Sequence, residues 1–236
     1  MRYRTAPSLT AAHVARVHRV ITDAGPAKGV EQQTDADYAG WVDRILATNP
    51  SPGRPIQLFA YGSLIWKPEI EHRAEQPAVA SGWHRSFCLR MHRFRGTLDQ
   101  PGLMMALDRG GQCRGVIYEL PPEDPTTQLD RLFRREFTVK PINSMPRWLT
   151  VRSESGPRPA LGFVMNRTSP YYAGQLPEDE VARTLARSCG HWGTGAEYLL
   201  NTVTQLDARG MRDSGLWRLQ ALVAKEIDRM SVPPGS

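Results

Sequence analysis

The sequence predicts an α+β fold in which strands come first and helices follow. Three observations carry this. Between residues 56 and 166, short apolar stretches follow one another, with period-two alternation clearest over 78–92, punctuated by Gly and Pro. From about residue 176 to 228, apolar residues recur at helical spacing instead. The two patterns are grouped rather than interleaved, which argues against a doubly wound sheet.

The elements follow in order. Residues 9–22 and 36–47 are expected as two short helices, through Val14, Val17 and Ile21, and then Tyr38, Trp41, Val42, Ile45 and Leu46. The run Asn49-Pro50-Ser51-Pro52-Gly53-Arg54-Pro55 breaks any helix and stiffens the chain. Residues 1–55 are therefore expected as an N-terminal helical extension, 56–230 as the main domain and 231–236 as a short flexible tail. Ile56-Gln57-Leu58-Phe59-Ala60 reads as a buried strand, with Tyr61-Gly62-Ser63-Leu64 as the turn at its end. Strands are expected at 78–92, 103–108 and 113–120. Asp124-Pro125 is an N-cap followed by Pro at the first helical position, and the helix through Leu129, Leu132 and Phe133 ends near Phe137. Two more strands, 147–153 and 159–166, flank Gly156-Pro157. One helix opens at Pro177-Glu178 and stops at Gly190. A second opens with capping-box spacing, Thr194 to Glu197, and stops at Gly210, and a last one runs through Leu216, Leu219, Leu222, Val223 and Ile227.

Composition excludes several classes. The chain has 236 residues, 40% of them hydrophobic, with six Trp, so whole-chain disorder is ruled out. Lys+Arg is 30 against 24 Asp+Glu, a net charge of +6, but the basic residues are interleaved with apolar ones and form no runs. That suits an anionic small molecule better than nucleic acid. The three Cys (Cys88, Cys113, Cys189) form no CxxC pair, which points to reduced thiols in a cytoplasm rather than to a disulfide scaffold or zinc ribbon. His13, Arg16, His18 and Arg19 interrupt any signal-like apolar stretch, and no window is apolar enough for a membrane span.

Few motifs carry chemistry by themselves. Gly62-Ser63 lacks the flanking glycines of a serine-hydrolase elbow, although a small-residue turn after a strand can present N–H groups to an oxyanion. His84, Cys88 and His92 would line up on a helix, but the alternation around them favours a strand, where they spread too far apart to share a metal. His191 is solitary and reads as satisfying a helix end. Glu136 closes a helix whose other face is apolar. Burial there would raise its pKa and suit acid–base work, while Arg134 and Arg135 oppose the rise and also fit a surface ion pair.

Taken together, these segments resemble the ChaC family of γ-glutamylcyclotransferases. The resemblance rests on Phe59-Ala60-Tyr61-Gly62-Ser63-Leu64-Ile65-Trp66-Lys67-Pro68, Gly82-Trp83-His84-Arg85-Ser86-Phe87-Cys88, Arg95-Gly96 and Pro101-Gly102-Leu103. It continues through Gly115-Val116-Ile117-Tyr118, Arg135-Glu136, Pro146-Arg147-Trp148, Tyr172-Ala173-Gly174 and Gly193-Thr194-Gly195-Ala196-Glu197-Tyr198-Leu199. It covers about 56–228 and leaves residues 1–55 outside. It implies a mixed β-barrel with flanking and C-terminal helices, and cleavage of glutathione to 5-oxoproline and Cys-Gly. It further implies that Tyr61, Gly62, Ser63 and Leu64 hold the γ-glutamyl group, that Glu136 is the catalytic carboxylate, and that Arg95 and Tyr198 contact the substrate's polar groups. One departure is Ser144, where many bacterial relatives carry Tyr.

The implied reaction needs no metal and no cofactor, because the substrate's own α-amine is the nucleophile. Glutathione carries two carboxylates, which makes Arg93, Arg95 and Arg135 the cations of first interest. The alternatives are ring closure on another γ-glutamyl peptide or amine, and a non-catalytic regulatory binding protein on the same fold.

Overall fold

The computed structural model describes residues 8–230. The expected tail at 231–236 lies outside the described residues. Among those described, no helix is long and apolar enough to cross a membrane.

Two helices precede the first strand. α1 (Ala11–Val17) is capped by Thr10, and α2 (Asp35–Ala47) by a reciprocal box in which Thr34 accepts from the Asp37 N–H and Asp37 accepts from the Thr34 N–H. α1 is shorter than the expected 9–22. The chain turns extended at His18, and the Arg19 side chain then bonds the Arg187 carbonyl at 2.7 Å and Gln100 at 2.8 Å. Next come β1 (Gln57–Ala60), the single turn α3 (Ser63–Trp66), β2 (Ala74–Met91), β3 (Gly102–Glu119), α4 (Pro125–Glu136), β4 (Ser144–Ser153) and β5 (Gly156–Met165). After these are α5 (Glu178–Arg187), β6 (Cys189–Gly190), β7 (Gly193–Thr194), α6 (Gly195–Ala208) and α7 (Ser214–Met230).

The long strands close into a barrel of order β1-β3-β2-β4-β5, with a further β3–β5 pairing. β1 runs antiparallel to β3, from Gln57↔Glu119 to Ala60↔Val116, and parallel to β5 at Leu58↔Leu161. β4 and β5 form an antiparallel hairpin from Ser144↔Met165 to Ser153↔Gly156. The barrel is thus mixed and the class α+β. The two strands expected at 103–108 and 113–120 are one strand, because Gly110 and Gly111 take φ of 107° and 67° and bend the chain without ending it.

The chain forms two compact units. One holds the described residues through Pro26, Phe87–Met104 and the described residues from Ala173 onward; the other holds Ala27–Ser86 and Met105–Tyr172. The first is mainly helical. Its core is Val181, Leu185, Leu199, Val203, Leu216, Leu219, Val223 and Ile227, with the buried Leu9 N–H donating to Gln220 at 2.6 Å. The second carries most of the barrel. Leu58, Phe59, Leu107, Leu161 and Phe163 are fully buried there, beside Leu129 and Phe133 of α4.

β1 packs closely against Gly115 of β3. A Cβ there would run into the Ala60 carbonyl oxygen and stand 2.7 Å from the Phe59 ring. Gly115→Ala is expected to destabilise the protein by about 1–3 kcal/mol through overpacking, read as a lowered midpoint in denaturant unfolding.

Candidate active site

In the barrel unit, α4 delivers Glu136. Asp124 accepts the Thr127 N–H at 3.0 Å and Pro125 opens the helix, as the sequence predicts. Leu129, Leu132 and Phe133 bury one face. Glu136 follows Leu132 and Phe133 by four and three residues, so its side chain lies over that face. Only 16% of it is exposed, which excludes a solvated surface pair.

The other half of the site follows β1. Leu58, Phe59 and Ala60 anchor the strand in the core, and Tyr61 is also buried. The expected turn tightens into α3, with Gly62 at its N-cap. The Ile65 N–H bonds the Gly62 carbonyl at 2.9 Å and the Lys67 N–H bonds that of Ser63 at 2.8 Å. Leu64 and Ile65 are buried and pin the turn, while Ser63 is half-buried. The Arg85 Nε donates to the Tyr61 carbonyl at 2.7 Å, and its guanidinium also donates to the Arg114 carbonyl. The N–H groups that open such a turn have no acceptor within it and suit an anion or a developing oxyanion.

Arg135 joins the two halves. Its guanidinium donates to the Pro68 carbonyl at 2.7 Å and to Glu69 at 3.1 Å, and its Nε lies 3.2 Å from Glu136 Oε1. Lys67 extends the chain of ion pairs, 2.8 Å from Glu69. Glu69, which pairs with both cations, is itself in the left-handed region, at φ 49°. Burial pushes the Glu136 carboxyl above the ordinary carboxylate range; the charge and hydrogen bond of Arg135 oppose the rise, and Glu69 adds to it.

In the helical unit, Arg95 and Tyr198 come together. Arg95 is 7% exposed. It donates to the Thr194 carbonyl at 2.8 Å and to Glu197 at 2.9 Å, and its guanidinium lies 5.4 Å from the centre of the Tyr198 ring. The Tyr198 ring meets Phe87 edge-on. Thr194 caps α6 through the Glu197 N–H at 2.9 Å, as expected, but the Glu197 carboxylate goes to Arg95 instead of completing a capping box.

The three arginines of first interest are all ion-paired. Arg93 holds Asp23 with two bonds of 2.8 and 2.5 Å, Arg95 holds Glu197, and Arg135 holds Glu69 and Glu136. His191 does not finish a helix. It lies in the β6–β7 turn, 3.5 Å from Asp23 and against Phe94. His84 and Cys88 lie on β2 and His92 directly after it; no group of three His, Cys, Asp or Glu among the described residues is placed to hold a metal. Ser144 opens β4 opposite Met165. Sequence reasoning gave no role to Glu69 or Arg85; both sat inside or beside the quoted motifs, and that proximity was the available signal.

The opposing influences on Glu136 make a testable pair. Arg135→Met removes a nearby positive charge and should raise the Glu136 pKa further, whereas Glu69→Gln removes a nearby negative charge and should lower it. Carbon-detected NMR titration of the side-chain carboxyl reads both directions.

The model of the ChaC-like protein family matches residues 56–226. The chain is 37% identical over 181 residues to a glutathione-specific γ-glutamylcyclotransferase of Escherichia coli, covering 76% of this chain and 77% of that one. It is 30% identical over 171 residues to glutathione-specific γ-glutamylcyclotransferase 1 of Mus musculus, covering 66% and 75%. A crystal structure of the yeast γ-glutamyl cyclotransferase specific to glutathione superposes with a TM-score of 0.65 over 74% of this chain and 97% of that one, at 21% identity, and so shares the fold. A mixed closed barrel and a family match over most of the chain agree: this protein belongs to the ChaC-like family.

Proposed function

We propose that this protein is a glutathione-specific γ-glutamylcyclotransferase, with residues 56–230 as its catalytic domain and Glu136 as its catalytic carboxylate. The observation that carries the reading is the mostly buried Glu136 carboxyl, tied by Arg135 to Pro68 and Glu69 just after α3. The names of the related proteins support glutathione as the substrate.

The chemistry asks little of the protein beyond geometry and one proton carrier. In a γ-glutamyl compound the α-amine and γ-carbonyl are already tethered at five-ring spacing. Glu136 takes a proton from the α-ammonium; the freed amine attacks the γ-carbonyl carbon and forms the ring C–N bond. The old amide C–N bond then breaks; its nitrogen takes back the first proton from Glu136, and the second proton, which the ring nitrogen sheds as it becomes an amide, follows it, so that Cys-Gly leaves as an ammonium. The products are 5-oxoproline and Cys-Gly. A carboxyl with a raised pKa suits both halves, since it holds the proton more firmly than an exposed carboxylate does. The turn from Tyr61 to Leu64 is proposed to hold the γ-glutamyl group, with the N–H groups of Gly62 and Ser63 toward the oxyanion, and Arg95 and Tyr198 to contact the substrate's polar groups. No step draws on a metal or cofactor. Three buried cysteines, none in a disulfide, support a reducing cytoplasm.

Purified protein is to be incubated with glutathione, γ-Glu-Ala and γ-Glu-ε-Lys in parallel, with 5-oxoproline detected by mass. Product is expected from glutathione, with a loss of about 10²–10⁴-fold in Glu136→Gln, the range for removing a general acid–base group. Full activity in Glu136→Gln would overturn the assignment of the carboxylate. Product from another substrate only would overturn glutathione, and no product from any would favour a binding protein. Glu136→Gln is not expected to lower the melting temperature at pH 7. A carboxyl with a raised folded pKa favours folding most below its unfolded pKa, and that advantage is lost as pH rises through the folded pKa.

A further inference from the structure

Glu136 ends its helix, and helix ends are where backbone order is weakest, because the last carbonyls have no partner within the helix. Here the helix is intact to its last bond, and the carbonyl of its C-cap residue, Phe137, finds a partner elsewhere. The Phe137 N–H closes the last turn onto the Phe133 carbonyl at 3.0 Å. The Phe137 carbonyl accepts the Tyr38 hydroxyl at 3.0 Å. The Tyr38 ring stacks on Phe137 with centroids 6.0 Å apart, and Trp41 meets the same ring edge-on at 5.9 Å.

The grip continues along the chain. The Gln33 N–H donates to the Thr138 carbonyl at 2.9 Å, its side-chain amide to the Val139 carbonyl at 2.9 Å, and the Lys140 N–H to the Glu31 carbonyl at 2.8 Å. Gln32 and Val139 form an antiparallel bridge. Ion pairs reinforce this: Arg134 with Asp35 at 2.7 Å, and Lys140 with Asp37 at 2.6 Å and Glu31 at 2.9 Å. Asp37 also closes the N-terminus of α2 through Thr34, and Lys140 and Thr34 together bring its pKa down to about 2. Residues 134 and 137–140 are therefore all held by residues 31–41, while Arg135 is held from the other side by Pro68 and Glu69.

Residues 31–41 precede the stretch matched by the family model. We infer that this segment is a positioning element for Glu136, and that Tyr38 is its principal positioning residue, acting through the Phe137 carbonyl. The inference rests on the reading of Glu136 as the catalytic carboxylate. Its physical basis is that a reacting group displaced by a fraction of an ångström loses rate without losing substrate affinity. Burial raises the pKa of the Tyr38 phenol, so it stays protonated and remains a donor at neutral pH.

The test uses the full chain with two independent single variants. Tyr38→Phe keeps the ring and removes the hydroxyl, and Gln33→Leu removes the side-chain bond to Val139. Each should lower kcat for 5-oxoproline release by about tenfold, a part of what misplacement can cost, with KM within about twofold of the unsubstituted protein. The folded fraction at assay temperature, read by far-UV circular dichroism, should be unchanged. An unchanged kcat in both variants, a rise in KM alone, or a loss of kcat matched by a loss of folded protein overturns the inference. If one variant fails to fold, the other decides. Glu136→Gln, run alongside, separates the two claims. If it is inactive while both variants keep full kcat, the positioning role falls and the carboxylate stands. If it is fully active, the carboxylate falls and the positioning role with it.

Discussion

The barrel-unit site depends on one guanidinium. Arg135 donates to the Pro68 carbonyl and to Glu69 while its Nε stands beside Glu136. A carboxyl at 16% exposure has lost most of its water, and an isolated buried charge would be costly. Arg135 moderates that cost without abolishing it, because Glu69 draws on the same cation. The outcome is a carboxyl that is buried and ion-paired yet still has a raised pKa. Arg suits the task where Lys would not, since a planar fork can face a backbone carbonyl and two carboxylates at once.

The same economy of cations recurs in the helical unit. Arg95 is nearly buried and is neutralised by Glu197, the residue whose N–H the Thr194 cap also satisfies. The start of α6, the guanidinium and the Tyr198 ring are thereby held as one group. The three arginines of first interest are thus not unpaired cations. Arg93, Arg95 and Arg135 each already hold a carboxylate.

Much was legible beforehand where the signal is local. The Asp124-Pro125 start of α4 and the Thr194 cap of α6 appear as read, because a cap depends on residues three positions apart. The merged strand β3 was not legible, since Gly110-Gly111 reads as punctuation in sequence and acts as a bend within one ladder. The single turn α3 was read as an ordinary turn for the same reason of shortness. The grip of Tyr38 on Phe137 spans 99 residues, and nothing in either local sequence announces the other.

By itself the sequence determined the α+β class, the order of most elements, the family motifs and the identity of Glu136 as the carboxylate worth attention. These follow from spacing, capping chemistry and ordered motifs, all of which are written along the chain. Only the tertiary structure decided that Glu136 is buried, that Glu69 and Arg135 bracket it with opposing effects, and that residues 31–41 hold the chain that follows it. Burial and charge pairing depend on which distant segments meet, and folding brings those segments together through a core that no single stretch of sequence contains.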